Sequence, residues 1–234
     1  MVGKSTVRSP LVILLLAVVA SAQADVLYEQ TVFQCDNSAI GFLPSDLSLE
    51  FSPGSFQVLD DFVLDMPVAL EDIQWWGAGG SQTTDHFTVR LFTGSFESPT
   101  PLAELAPDDV NRADAVNRAA AGYSAPRPGD LELDVWAYNL QLQDAIMLEA
   151  GVPYSISISN NTTGSADWAW LFGEGGNDRL GARISDADEW FEIPMLGVAY
   201  ELTGTVVPEP ATLTLLALGI AGYLVKRRRR ARGM

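Results

Sequence analysis

Alternating apolar and polar residues are the main pattern in the middle of the chain. A period of two places successive side chains on opposite faces of a β-strand. Turn-forming residues separate the alternating segments, as in the glycine-rich stretches 77–80 and 173–178. Many short strands joined by such turns predict an all-β fold, a β-sandwich. The alternating segments are residues 26–33, 56–64, 86–92, 131–140, 154–158 and 197–206.

One stretch inside this region has a different composition. Residues 108–121 are rich in alanine and open with acidic residues. Alanine has the highest helix propensity, and acidic residues favour the first turn of a helix. By propensity alone, this stretch predicts a short helix.

The N-terminal segment has the organisation of a signal peptide. Lys4 and Arg8 precede an apolar run at 11–20, and the small residues Ala22 and Ala24 follow it at the positions that signal peptidase inspects. The run would form a helix of roughly 15 Å, too short for a hydrocarbon core of about 30 Å. We therefore expect residues 1–24 to be a signal peptide, cleaved after Ala24.

A second apolar segment lies near the C-terminus. Residues 211–225 carry no charge and precede a basic cluster, which predicts a transmembrane helix with its basic end in the cytoplasm and the domain outside the inner membrane. Fifteen helical residues cover roughly 22 Å, so the anchor is marginal. It is either a weak tail anchor or a segment meant to be removed. The basic cluster comprises Lys226, Arg227, Arg228, Arg229, Arg230 and Arg232.

The part between these ends, residues 25–207, is 183 residues long, enough for one domain with a single core. It holds six of the 14 basic residues and 29 of the 30 acidic residues, which gives a formal charge of −23. Such a field repels phosphate, so nucleic acid is excluded as a partner. The single Cys35 cannot form an internal disulfide, so packing must stabilise the domain.

Pro208, Glu209 and Pro210 lie directly before the C-terminal apolar segment. The order of Pro-Glu-Pro, apolar helix and arginine cluster, over residues 207–232, resembles the PEP-CTERM sorting signal of Gram-negative bacteria. The resemblance implies that an exosortase, a membrane-embedded cysteine peptidase, recognises these three residues and removes the helix. The prolines keep the strip extended, as a protease requires. The alternative is a stiff spacer.

A second resemblance concerns the domain itself. Residues 57–62, followed by 73–77, are similar to a segment that recurs in exported PEP-CTERM proteins. The resemblance implies two strands of a jelly-roll-like sandwich, an extended conformation at 115–122 and a later strand at 151–158. It therefore opposes the helix that propensity predicts, and it carries no catalytic residues.

The sequence contains few residues of the kinds that act in catalysis. His86 is the single histidine, so a multi-histidine metal centre cannot form, and Asp85 beside it would point to the opposite face of a strand. Carboxylates are abundant, so a glycoside hydrolase with two of them stays an alternative. We expect a protein that is not an enzyme.

Trp168 and Trp170 share one face of a predicted strand. Exposed indoles beside acidic and amide groups are typical of a sugar-binding platform, whereas buried indoles fill a sandwich. A lectin-like carbohydrate-binding module is therefore an alternative function, with core packing as the simpler interpretation of both tryptophans.

Calcium is the one cofactor that the sequence suggests. Glu174, Asn177 and Asp178 offer oxygen ligands in a glycine-rich loop, and 186–189 offers a second acidic group. Neither spacing matches an EF-hand, and the acidic residues can equally form solvated surface.

These observations and resemblances together predict an exported, non-enzymatic protein. It would be processed by signal peptidase and exosortase, anchored briefly in the inner membrane, and then placed at the cell surface or in an extracellular matrix rich in exopolysaccharide. The predicted organisation is signal peptide 1–24, sandwich domain 25–207 and sorting signal 208–232.

Overall fold

The computed structural model describes residues 24–33, 42–45, 56–79, 86–105, 116–127, 131–160, 168–177, 179–194, 197–208, 218–221 and 223. Strands dominate this part of the chain, and they form two antiparallel sheets. The all-β prediction is confirmed, while the finer jelly-roll topology stays a prediction. The strands are β1 (Asp25–Val32), β2 (Phe42–Pro44), β3 (Gln57–Val63), β4 (Val68–Gly79), β5 (Phe87–Thr93), β6 (Thr100–Leu105), β7 (Val116–Arg127), β8 (Leu131–Leu148), β9 (Pro153–Asn160), β10 (Trp168–Leu171), β11 (Gly173–Glu174), β12 (Leu180–Arg183), β13 (Phe191–Ile193) and β14 (Tyr200–Val206).

The larger sheet is organised around β4. Strand β8 pairs along most of one edge of β4, while β14 and β10 pair with successive parts of the other edge. Strands β1, β11, β2 and β7 extend this sheet, which has eight strands. The smaller sheet has six strands in the order β13-β12-β3-β9-β5-β6.

Alternation along β9 shows how the sequence builds a two-faced sheet. Tyr154, Ile156 and Ile158 point into the core between the sheets, and the serines at 155, 157 and 159 point to the opposite face. Apolar burial on the inner face is the main stabilising contribution, at about 25 cal/mol per Å².

Aromatic rings fill one part of this core. Trp75 stacks on Tyr138, with ring centroids 5.6 Å apart, and Phe87 meets Trp168 edge to face at 5.1 Å. Gly77 permits this packing, because a Cβ at its position would lie 2.3 Å from Nε1 of Trp168. Any side chain at 77 would therefore force the Trp168 indole to move.

The predicted helix at 108–121 is wrong for its second half. Residues 116–121 belong to strand β7, which pairs with β8 from Val116 onward. Backbone hydrogen bonds to the long neighbouring strand outweigh the helix propensity of alanine, since propensity is worth less than about 1 kcal/mol per residue. The extended conformation implied for 116–122 is confirmed, and residues 108–115 lie outside the described residues.

Candidate functional site

A polar network covers part of the outer face of the six-stranded sheet. Gln57 on β3 lies opposite Arg183 on β12, and Arg90 projects from β5 on the same face. Gln57 Oε1 accepts from Arg90 Nη1 at 3.1 Å and from Arg183 Nε and Nη2 at 3.0 and 2.8 Å. One buried amide oxygen thus holds two guanidinium groups together.

Two carboxylates neutralise these arginines. Asp186 accepts from Gln57 Nε2 at 3.1 Å, from Arg90 Nη2 at 3.3 Å and from Arg183. Glu104 on β6 accepts from Arg90 Nε at 3.0 Å. The arginine side chains are only 13% and 11% exposed, whereas both carboxylate side chains are 61% exposed. The cations are therefore held in the sheet, and the anions face solvent.

The environment of Arg183 combines burial with an aromatic contact. Its Cζ lies 4.4 Å from the centroid of the Trp190 ring, a cation–π arrangement. Burial lowers the pKa of Arg183, and the carboxylate of Asp186 opposes that shift. A guanidinium remains protonated in proteins, so Arg183 acts as a fixed donor.

A pocket of about 340 Å³ opens beside this network. Its polar wall carries the two guanidinium groups and the two carboxylates described above. Its apolar wall comes from β5 and β6, two neighbouring strands of the same sheet. The apolar wall consists of Phe92, Pro101, Leu102 and Ala103.

A second polar cluster lies on the inner face of the same sheet. Asp60 on β3 is fully buried, and its Oδ2 accepts from Gln30 Nε2 and from the Val198 backbone N–H, each at 3.0 Å. Gln30 also donates to the Tyr28 hydroxyl at 3.1 Å, and the Tyr28 and Tyr200 rings stack at 5.5 Å. Among the described residues, no cation contacts Asp60.

Burial dominates the electrostatics of this inner cluster. It raises the pKa of Asp60 to about 7, against the lowering effect of the Val198 hydrogen bond. Burial also raises the pKa of Tyr28 and of Tyr200. Gly197 closes the cluster, because a Cβ there would lie 2.0 Å from Gln30 Oε1. Asp60, Gln30 and Tyr200 are fully buried, and Tyr28 is partly exposed.

The C-terminal exit of the domain is a third feature. Strand β14 ends at Val206, and the Val207 backbone N–H donates to the Pro67 carbonyl at 2.8 Å. Pro208, the next residue, is exposed and outside any strand. Further along, residues 218–221 and Tyr223 are helical, with apolar side chains exposed at Leu218 and Ile220. The last strand therefore ends two residues before Pro208, the first of the predicted sorting residues.

Residues 206–230 match the PEP-CTERM protein-sorting motif. The motif implies an exported protein that is sorted by an exosortase, anchored in a membrane and then displayed at the surface. It begins at the last residue of β14, so the folded domain and the PEP-CTERM motif join without an intervening linker. No curated protein matches the chain.

The remaining parts of the PEP-CTERM segment are only partly described. Glu209, Pro210 and the basic residues Lys226, Arg227, Arg228, Arg229, Arg230 and Arg232 lie outside the described residues. Within the part of the chain that is described, no helix has the length and apolar character that a membrane span needs.

At the other end, Ala22 also lies outside the described residues, and Ala24 is exposed. Strand β1 begins at Asp25, the residue after the predicted cleavage point. Cleavage after Ala24 stays a prediction, and it would leave every strand of the described residues in the mature chain.

The predicted glycan platform at Trp168 and Trp170 is wrong. Both indoles are 0% exposed, and Trp170 Nε1 donates to the Ala199 carbonyl at 2.8 Å inside the core. Strand β10 lies between β4 and β2, and its indoles pack into the interior beneath the other sheet. A large apolar surface is more stable there than in water.

The predicted calcium ligands are placed only in part. Glu174 is exposed, Asn177 donates to Asp61 and accepts from the Arg179 backbone N–H, and Asp178 lies outside the described residues. Within the described ranges no three acidic, histidine or cysteine side chains gather as a metal site would require. In the second acidic loop, Asp186 binds arginines instead. Calcium at Glu174, Asn177 and Asp178 stays a prediction.

Sequence reasoning missed the network around Gln57. Its members come from β3, β5, β6 and β12 and from the loop after β12, most of which are distant in the chain. Arg90 was one indication of the network in the sequence. It is the only charged residue of β5, whose other residues are apolar or threonine, and the domain has very few basic residues. A charged residue in such a strand is expected to have a partner.

Proposed function

We propose that this chain is a non-enzymatic surface or matrix protein, which an exosortase releases from the inner membrane into an envelope rich in exopolysaccharide. The carrying observation is the position of the PEP-CTERM motif directly after β14. Exposed Pro208 lies two residues after the last strand, and prolines favour the extended backbone that a protease binds.

The pocket carboxylates support a non-catalytic role. A glycoside hydrolase needs one carboxyl that carries a proton and a second that is free to act as base or nucleophile. In the outer-face pocket, Glu104 and Asp186 both form ion pairs with Arg90, at 3.0 and 3.3 Å. Such pairing suits binding better than proton transfer.

The sorting part of the proposal is tested by changing the recognition residues. Pro208→Ala with Glu209→Ala, expressed in the native host, should leave the protein in the membrane fraction, whereas the wild type reaches the surface. A matched control is Glu149→Ala with Pro153→Ala, two exposed residues of the same types within the domain. Equal surface display of both double variants would contradict sorting through Pro-Glu-Pro.

The matrix part of the proposal needs a separate readout. Enzymatic removal of the exopolysaccharide from intact cells should release the mature wild-type protein into the medium. Retention of the protein on stripped cells would contradict association with the polysaccharide and leave the sorting result unaffected.

A further inference from the structure

We propose that the outer-face pocket binds a neutral saccharide unit. The hydroxyl groups would be held by the Arg90 and Arg183 guanidiniums and by the Asp186 and Glu104 carboxylates, with the ring against the apolar wall. This inference rests on the proposed function for its biological setting, and on the pocket alone for its chemistry.

A donor remains for a ligand after the internal bonds are made. A guanidinium has five N–H groups. Among the described residues, Arg90 uses Nε for Glu104, Nη1 for Gln57 and Asp186, and Nη2 for Asp186. One N–H on Nη2 is left. Since the Arg90 side chain is held from three sides, this donor is fixed in direction before a ligand binds.

Acceptors are also available. An ionised carboxylate offers about four lone-pair sites. Glu104 accepts from Arg90 through Oε2, and Asp186 accepts through both of its oxygens on the side that faces the arginines. Because both carboxylates are largely exposed, their outward sites can accept from hydroxyl groups.

The charge balance selects a neutral ligand. Two guanidinium groups and two carboxylates cancel formally, in a domain whose overall charge is strongly negative. The long-range field disfavours an anion, and the arginines disfavour a cation beside them. A group that both donates and accepts, as a sugar hydroxyl does, fits the fixed pattern of donors and acceptors.

The shape and the apolar wall agree with a sugar. A volume of about 340 Å³ is near the lower end for small-molecule sites, which fits a mono- or disaccharide unit. Phe92, Pro101 and Leu102 offer carbon surface to the C–H face of a ring.

The test uses the full chain, purified in a zwitterionic detergent that has no sugar headgroup. Methyl glycosides of glucose, galactose, mannose and N-acetylglucosamine, and of glucuronic acid as the charged comparison, are titrated by ligand-observed NMR. We expect at least one neutral glycoside to bind and the glucuronide to bind more weakly. Silence for all neutral glycosides, or preference for the glucuronide, would overturn the proposal.

Variants locate the binding. Arg90→Gln and Glu104→Gln should each weaken binding of the neutral glycoside at least tenfold. Because Glu104 is exposed, Glu104→Gln is expected to fold even where Arg90→Gln does not, so the test does not depend on the arginine variant. Arg179→Gln is the matched control, because Arg179 pairs with Glu192 and Glu97 outside the pocket. Unchanged affinity in Glu104→Gln would place the sugar elsewhere and overturn the inference, whatever the sorting experiment shows.

Discussion

Gln57 and Asp60 lie three residues apart on β3 and are both buried, yet the surroundings on their opposite faces differ. Gln57, on the outer face, accepts hydrogen bonds from two arginines and donates to an exposed carboxylate. Asp60, on the inner face, receives only neutral donors. The arginines and carboxylates of the outer network neutralise one another beside a pocket that opens to solvent. The inner carboxyl of Asp60 is fully buried, with no cation in contact among the described residues. Burial of a polar group therefore has different consequences on the two faces, binding on one and a stability cost on the other.

The largest predicted effect is the pH dependence that Asp60 imposes. Its folded pKa of about 7 lies above the ordinary value of 3.8, so the folded state binds a proton that the unfolded chain has released. Stability from this group is complete below pH about 4 and is lost as the pH rises to about 7. The loss above pH 7 is about 4 kcal/mol by linkage.

Asp60→Asn isolates this effect, because the amide oxygen can keep both hydrogen bonds and carries no charge. In urea denaturation, the variant should be more stable than the wild type at pH 8 by up to about 4 kcal/mol, and similar to it at pH 4. Asp61→Asn is the control, since Asp61 lies on the opposite face and binds Asn177. Equal pH dependence of wild type and Asp60→Asn would contradict a raised pKa of the buried Asp60.

A smaller effect is expected on the outer face. Gln57→Leu removes the oxygen shared by Arg90 and Arg183, and both guanidiniums are mostly buried. Donors left without a partner there should cost about 2 kcal/mol in the free energy of unfolding. The loss should hardly change between pH 5 and pH 8, in contrast to Asp60. A strong pH dependence of the Gln57→Leu loss would mean that the two faces are coupled.

The smallest effect is predicted for an exposed ion pair on the same sheet. Arg179 contacts Glu192 and Glu97 at 2.9 Å, but all three side chains are well exposed. Arg179→Met should therefore leave the urea-denaturation midpoint nearly unchanged, and added salt should reduce any remaining effect. A loss as large as that of Gln57→Leu would show that burial does not separate the two arginine networks.

The sequence predicted the strands best where alternation was regular. The segments 56–64 and 86–92 correspond closely to β3 and β5. Helix propensity failed at β7, where alanine favours a helix in isolation but β8 supplies backbone partners, whereas the resemblance to exported PEP-CTERM proteins implied the extended conformation. The sequence also stopped β8 too early at residue 140, because residues 141–148 lack clear alternation and owe their pairing to β4.

The PEP-CTERM motif and the outer-face pocket also differ in how far the sequence alone predicts them. The PEP-CTERM motif consists of consecutive residues, so the sequence predicts it without knowledge of the fold. The pocket depends on strand order, which brings β5, β6 and β12 together across more than 90 residues of sequence, from Arg90 to Arg183. Two tryptophans on one face allowed both core packing and an exposed platform, because a shared face does not indicate which face is buried; both indoles lie in the core.

The most direct test of the account is the intact mass of the protein recovered from the surface of its native host. The account predicts a chain that begins at Asp25 and lacks the apolar segment 211–225 and the basic tail. A surface protein whose mass includes the chain through Met234 would contradict exosortase processing, and with it the proposed route to the matrix.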